Sequence, residues 1–433
     1  MKIGIIGLSH LGLVFTAGFA KLGHKIVAVD KDAAVIIREI TNNNLRIAES
    51  GLTDLLKLGI SKNRIRLTNE FSLLRDCRVI ILSLDTPVDV SENLDQKPIL
   101  NLIDLAIPHL AVKSLLLISS QVIVGTCDLI QEKINTAKPR HGIEVVYFPE
   151  NLRVGQAIEY FFKADRFVIG TKSQKAYKQT TKLLKKITAK KIWMDIRSAE
   201  ISKHALNACL ALQVSFINEI ADVCDVYGAD IAKVSEALKL DSRIGAKAYL
   251  NAGLGITSPP LIRELKNLLR LARKNRLSLS VISGILKTNF KQPEKIILAL
   301  KAALGKPLEG KTVGIFGLSY KERTGFVGKS AAPLIIKSLE NSGIQCQIYQ
   351  PVNFGAIFPA AWHSPYSAAE NCNALLFLNP EKEFLNLDWS AIGKIMKNPK
   401  IVFDARNFLP KSDLEAKGFR YVAIGRKGKS HAA

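Results

Sequence analysis

The hexapeptide Gly4-Ile-Ile-Gly-Leu-Ser9 returns as Gly314-Ile-Phe-Gly-Leu-Ser319. Each copy closes a short apolar run, Lys2–Ile6 in the first case and Thr312–Phe316 in the second. A buried strand that ends in a glycine loop opens a β-α-β unit, and a chain that does this twice is built from two such domains. Further apolar runs at Lys25–Val29, Val79–Leu84, Leu115–Ser119, Glu144–Phe148 and Arg166–Ile169 alternate with helical periodicity after the first copy. Gln345–Tyr349, Ala374–Leu378 and Ile401–Phe403 follow the second. Such alternation specifies a parallel, doubly wound sheet.

Between the copies the pattern changes. Ser198–Tyr227 contains no Gly or Pro and reads as one long helix; more helix follows, interrupted by a loop at Asn251–Pro260. The expected class is therefore α/β: two Rossmann-like doubly wound domains joined by a helical middle domain with a long central helix. A length of 433 residues accommodates three domains.

Charge restricts the function less than its size suggests. Lys and Arg number 61 against 38 Asp and Glu, giving a formal net charge of +23. The heaviest run, Lys172–Lys191, has eight lysines and no acid, yet no aromatic-interleaved or nucleic-acid motif accompanies it. It reads as a solvated helix face, and no nucleic-acid partner is expected. The most apolar stretch, Leu102–Val124, is broken by Asp104, Pro108, His109 and Lys113, so no membrane insertion is expected. Six scattered cysteines with no CxxC pair suit neither a disulfide framework nor a zinc site. The opening apolar run passes without a cleavage signature into the next helix and strand. A folded N-terminus and a reducing cytoplasm are expected, with no metal.

The first glycine loop carries chemistry. Gly7-Leu-Ser9-His-Leu-Gly12 lies between strand and helix, and Asp30 closes the next strand 18 residues beyond Gly12. This is the spacing of a dinucleotide fingerprint: a helix N-terminus faces a pyrophosphate, and an acid accepts from the adenosine ribose, which favours NAD over NADP. Ser9 replaces the usual second glycine, and its hydroxyl is a possible donor to phosphate. A domain kept only as scaffold would show the same loop, so both readings stay open on this feature.

Blocks in register along nearly the whole chain resemble the UDP-glucose/GDP-mannose 6-dehydrogenase family. Besides Gly7–Gly12 with Asp30, they are Glu49-Ser-Gly-Leu52, Asp85-Thr-Pro87, Val124-Gly-Thr126, Pro149-Glu-Asn-Leu-Arg-Val-Gly155 and Asp165-Arg-Phe-Val-Ile-Gly170. Glu200-Ile-Ser-Lys-His-Ala-Leu-Asn207, Phe216-Ile-Asn-Glu-Ile220, Asp241-Ser-Arg-Ile-Gly245, Gly317-Leu-Ser-Tyr-Lys321 and Asp404-Ala-Arg-Asn407 continue the match. The resemblance implies an NAD-binding domain over 1–197, a helical central and dimerisation domain over 198–300, and a nucleotide-sugar-binding domain over 301–433. It implies a homodimer acting on a UDP- or GDP-sugar, with roles commonly in polysaccharide biosynthesis. The reaction implied is oxidation of a sugar C6 alcohol by NAD, through an aldehyde, to a carboxylate.

Site residues carry over one at a time. Lys203 matches a lysine that stabilises charge at the C6 oxygen, and Asn207, one helical turn on, matches an oxyanion donor. Glu150 matches a general base for hydrolysis. Arg243 matches an arginine that reaches the sugar from the partner subunit, and Lys321 a lysine near the substrate diphosphate. Leu152 falls in the substrate segment. Gly7, Ser9, Gly12, Asp30, Thr86 and Gln121 make up the cofactor set.

The departures centre on one loop. The family's cysteine nucleophile falls on Pro260, which cannot form a thiohemiacetal. The basic–acidic pair that follows survives as Arg263-Glu264, so Arg263 joins the substrate set and Glu264 the catalytic set. Gln121 stands where a threonine helps hold a catalytic water, Gly328-Lys329 replaces an Arg-Glu pair, and Gln350 replaces an aspartate. A divergent branch of the family shares Gly7–Gly12, Asp85–Asp89, Ser119–Gln121 and Pro149–Arg153 and also lacks the cysteine. The expectation is a nucleotide-sugar 6-dehydrogenase that works without a cysteine nucleophile. The alternative is an inactive homologue that binds NAD, a nucleotide sugar or a partner enzyme.

Overall fold

The computed structural model describes residues 1–47, 49–87, 94–149, 152, 155–318, 330–351, 361–362 and 364–426. They form two compact units, Met1–Ala205 and Leu206–Ala433.

The first unit holds an eight-stranded sheet. Its strands are β1 (Lys2–Ile6), β2 (Lys25–Val29), β3 (Ile65–Thr68), β4 (Val79–Leu82), β5 (Leu115–Ile118), β6 (Glu144–Tyr147), β7 (Arg166–Gly170) and β8 (Lys190–Met194). They lie in the order β3-β2-β1-β4-β5-β6-β7-β8, parallel except where Tyr147 of β6 meets Gly170 of β7 in antiparallel sense. The order reverses between β1 and β4, and open α/β sheets bind ligands at the carboxyl ends of the strands flanking such a switch point. The helix His10–Lys21 is buried from Leu11 through Ala20 and packs Phe15 and Phe19 against Phe161. A helix apolar all round in this way is a core element, and it anchors the glycine loop at its start.

The second unit contains helices and a six-stranded parallel sheet. Its strands are β9 (Thr312–Phe316), β10 (Gln345–Tyr349), β11 (Ala361–Trp362), β12 (Ala374–Phe377), β13 (Ile401–Asp404) and β14 (Arg420–Ala423), in the order β11-β10-β9-β12-β13-β14. The expected α/β class, with two doubly wound sheets and a long helix between them in sequence, holds. The long helix runs Ile196–Tyr227, two residues longer at its start than hydropathy implied. The loop expected over Asn251–Pro260 is shorter than expected, because a helix already begins at Pro259 and runs to Lys274. Proline suits the first helical turn, where an N–H has no intrahelical acceptor and φ near −65° is already set. Among the described residues no helix is long and apolar enough to cross a membrane.

The internal repeat is reproduced in backbone detail. Gly7 N–H donates to Val29 O at 3.0 Å and Gly317 N–H to Tyr349 O at 3.1 Å. Both glycines have left-handed φ, +86° and +82°. Leu8 N–H donates to Asp30 Oδ2 at 2.6 Å, and Leu318 N–H to the Gln350 side-chain oxygen. Gln350 therefore keeps the acceptor that an aspartate would supply and removes only its charge.

Candidate functional site

The glycine loop is shaped by contact with its own backbone. A Cβ on Gly12 would lie 1.9 Å from Gly7 O and 3.0 Å from Ser83 Oγ, closer than any side chain tolerates. A Cβ on Gly7 would come within 3.0 Å of Leu84 N, in a left-handed conformation that already excludes most residues. The helix then starts at His10 with Ser9 at its N-cap, and the Ser9 side chain makes no cap hydrogen bond. The first-turn N–H groups are thus those that α-helix geometry leaves without intrahelical acceptors, at the positive end of the helix dipole.

The Ser9 hydroxyl is engaged within the protein. Its hydroxyl donates to Ser83 O at 3.1 Å and accepts from Asp85 N at 3.0 Å. It ties the loop to the end of β4, so the residue that replaces the second glycine braces the switch point. Asp30 spends one lone pair on each of two backbone amides, Leu8 N and Asp32 N, the latter at 2.9 Å. A carboxylate has about four acceptor positions, which leaves capacity for ribose hydroxyls. Thr86 is buried and donates through Oγ1 to Gln121 O at 2.5 Å. The fold thus joins the residues expected to hold the cofactor in two groups: Gly7, Ser9, Gly12 and Asp30 around the loop, and Thr86 with Gln121 beside β4 and β5.

Glu49 links the start of the helix His10–Lys21 to the backbone at Gly155 and Ala157. Its carboxylate is fully buried and accepts from Gly155 N at 2.5 Å and Ala157 N at 2.9 Å, with His10 Nε2 at 2.6 Å. Burial alone would raise the Glu49 carboxyl; the hydrogen bonds from His10, Ala157 and Gly155 outweigh it and hold the group below its ordinary value. Leu152, half-buried, packs against the first-domain core. Glu150 lies outside the described residues.

Lys203 and Asn207 are both buried on the helix Ile196–Tyr227, four residues apart and so on one face. Earlier on the same helix, Glu200 accepts from Gly125 N at 2.6 Å and Cys127 N at 3.0 Å. It thereby supplies the start of the helix Thr126–Ala137 with acceptors. Glu264 is fully buried and Arg263 half-buried, one turn and less after the exposed Pro260. Arg243 is exposed and folds back on Asp241, with Nε–Oδ1 at 3.0 Å and Nη2–Oδ2 at 2.7 Å. Lys321, Gly328 and Lys329 lie outside the described residues.

The six cysteines offer little thiolate character. Cys77, Cys127, Cys224 and Cys372 are buried; Cys346 is half-buried. Burial pushes the Cys77 thiol up to about 11, and those of Cys346 and Cys372 to about 12. Cys209 is exposed, two residues past Asn207 and turned from its face. Thiolate character, which nucleophilic attack requires, is therefore disfavoured wherever a thiol is buried.

The loop before Pro260 is clamped by residues that motif reading left without a role. Asn218 Oδ1 accepts from Gly253 N at 2.8 Å, and Asn289 Oδ1 from Ile256 N at 2.6 Å. Leu254 N donates to Ala405 O at 2.9 Å, and a Cβ on Gly253 would lie 2.2 Å from that same oxygen. Arg406 donates to Thr257 Oγ1 at 3.0 Å and Asn407 to Ala252 O at 3.1 Å. Asn218 and Asp404–Asn407 sit in blocks that the resemblance singles out. Asn289 carries no such signal and emerges only from the folding of its helix against the loop.

Family models match along the chain in the same order as these elements. The NAD-binding domain of the UDP-glucose/GDP-mannose dehydrogenase family matches residues 1–188, its central domain 197–291 and its UDP-binding domain 314–411. The chain belongs to the UDP-glucose/GDP-mannose dehydrogenase family. It is similar to the UDP-glucose 6-dehydrogenase TuaD of Bacillus subtilis, 32% identical over 98% of this chain and 93% of that protein. A UDP-glucose 6-dehydrogenase of Rickettsia conorii is 30% identical over 99% and 100% respectively. Among solved structures, a UDP-glucose dehydrogenase from the hyperthermophilic archaeon Pyrobaculum islandicum superposes with a TM-score of 0.86. It is 25% identical and covers 98% of each chain. This is a family of NAD-dependent oxidoreductases, and the glycine cradle, the open helix start and Asp30 fit the dinucleotide that its first domain binds.

Proposed function

We propose that this protein oxidises the C6 alcohol of a nucleotide sugar with NAD as the acceptor, and that it does so without a covalent thiol intermediate. The observation that carries the reading is Pro260 in the first turn of a helix, in a member of a dehydrogenase family whose cofactor loop keeps Gly7 and Gly12 in close backbone packing. When bound, NAD accepts hydride from the sugar carbon. In this reading the Lys203 ammonium stabilises charge developing on the C6 oxygen, and Asn207 donates to the same atom. Water then adds to the aldehyde carbonyl to give a gem-diol, with Glu150 or Glu264 as base. Loss of a second hydride, to a second NAD, and of two protons from the diol leaves the carboxylate. The UDP-binding domain model over 314–411 supports a UDP-sugar, with Lys321 placed by the resemblance near the diphosphate. Purified protein with NAD and a panel of UDP- and GDP-sugars is expected to generate absorbance at 340 nm with at least one sugar. Thermal stabilisation by NAD with no NADH from any sugar would favour the inactive-homologue reading.

A homodimer is part of the proposal. Ile201, Leu212, Phe216, Val223, Val226 and Tyr227 are exposed apolar residues on the long helix. At 100° per residue they fall within one narrow stripe, the pattern of a helix face that a partner covers. Light scattering is expected to return twice the 47.6 kDa chain mass; a monomeric mass contradicts the dimer. The six free cysteines suit a reducing, cytoplasmic setting, and the relatives' activity suits supply of sugar acids for polysaccharides.

A further inference from the structure

The starts of the first-unit strands form a basic rim. The register pairs Lys2 with Lys25, Ile26 with Ile65 and Ile3 with Val79. Arg64, Lys25, Lys2 and Arg78 therefore stand level at the starts of β3, β2, β1 and β4, which are neighbours in the sheet. Residues level on parallel strands point to the same side, at spacings of about 4.8 Å. Lys25, Arg64 and Arg78 are exposed and Lys2 is half-buried. Like charges set side by side across strands oppose pairing. Edge protection by lysine does not account for the row, because of these four strands only β3 is an edge.

The five segments 20–25, 61–64, 75–78, 109–114 and 137–143, which lead into β2 through β6, carry nine Lys and Arg and three His. Their one acid, Asp76, pairs with Lys2 at 2.6 Å. Neighbouring groups register the charge. Burial first, then the Arg75 and Lys138 cations, holds the His109 imidazole below its ordinary value. Burial, then Arg75, does the same to the Lys138 ammonium. The exposed apolar Val112 stands beside Lys113 just before β5.

We propose that this rim is a peripheral docking surface for an anionic lipid bilayer. The cations are spread over the entries to five strands, which matches a charged plane, and each one near such a surface adds attraction. A single nucleic-acid strand would call for exposed aromatics on which bases stack, and the five segments contain no Phe, Trp or Tyr. The Gly7–Gly12 loop follows the opposite, carboxyl end of β1, so docking through the rim leaves that loop facing away from the lipid.

The test is co-sedimentation of the full chain, at low salt, with vesicles of phosphatidylcholine alone and of phosphatidylcholine and phosphatidylglycerol in equal parts. It reads binding, so it stands whether or not a nucleotide sugar is turned over. Binding to the anionic vesicles is expected to exceed binding to the neutral ones about tenfold or more, and to disappear in ~0.5 M salt, which screens exposed charges. The triple variant Lys25→Glu, Arg64→Glu, Arg78→Glu is expected to bind about tenfold more weakly or worse. The triple variant Lys172→Glu, Lys178→Glu, Lys182→Glu changes net charge equally at exposed positions of the lysine run and should stay within about threefold of wild type. If the first triple variant does not fold, Lys25→Gln, Arg64→Gln, Arg78→Gln reads the same comparison. No preference for anionic vesicles, or equal losses in the two triple variants, overturns the proposal. Rim-dependent binding to duplex DNA with none to anionic vesicles also overturns it, since the partner would then be a nucleic acid.

Discussion

Lys203→Met is expected to lower kcat about 100- to 1000-fold, the usual loss when a charge-stabilising donor at a developing oxyanion is removed. Methionine matches the lysine stem in length and suits a buried position, so the helix Ile196–Tyr227 should remain intact. NAD binding, followed by fluorescence or thermal shift, should stay within about twofold, because uniform binding and transition-state stabilisation separate in this way. Asn207→Ala, on the same face one turn on, should show a loss of the same kind. A kcat for Lys203→Met within threefold of wild type would remove Lys203 from the chemistry.

Gly12→Ala should have the second large effect, and it acts on the cofactor. The added Cβ meets Gly7 O at 1.9 Å and Gly7 C at 2.9 Å, atoms of backbone that cannot rotate away. The loop must open, at a cost of about 1–3 kcal/mol by the measure of overpacked cores, and the helix start moves from the position where it faces a pyrophosphate. NAD affinity is expected to fall at least 100-fold. Gly284 provides the control. It lies within the helix Ser280–Leu304 with nothing within 4 Å of its would-be Cβ. Gly284→Ala should be neutral or stabilise by up to about 1 kcal/mol. Equal effects of the two substitutions would mean that the Gly7–Gly12 loop is not the cofactor cradle.

Hydropathy reveals the sheet interiors and misses their margins. The strands absent from the sequence reading, β3, β8, β11 and β14, are the four edges of the two sheets. An edge strand buries little: β8 runs through the lysine-rich segment with one exposed and four half-buried residues, and β3 has only Ile65 buried. Their periodicity is therefore weak, whereas central strands such as Ile3–Ile6 and Leu115–Ile118 are apolar throughout because helices cover both faces. The site divides similarly. Gly7, Gly12 and Asp30 announce themselves by spacing, since strand-loop-helix geometry is a local rule, whereas Lys203 and Asn207 are picked out by the family resemblance and periodicity adds only that they share a face. The Ser9 hydroxyl that braces Ser83 and Asp85, and the Asn289 amide that holds Ile256 N, depend on residues distant in sequence, and no local pattern records them.

The central claim is oxidation of a nucleotide sugar without a thiol. The most direct test is NADH formation at 340 nm from NAD and a nucleotide sugar, before and after treatment with excess iodoacetamide. Pro260 and the five buried or half-buried cysteines leave Cys209 as the one exposed thiol, on a face away from Asn207. The account predicts the same rate in both samples. Loss of NADH formation on alkylation, or no NADH in either sample with any nucleotide sugar, would contradict it.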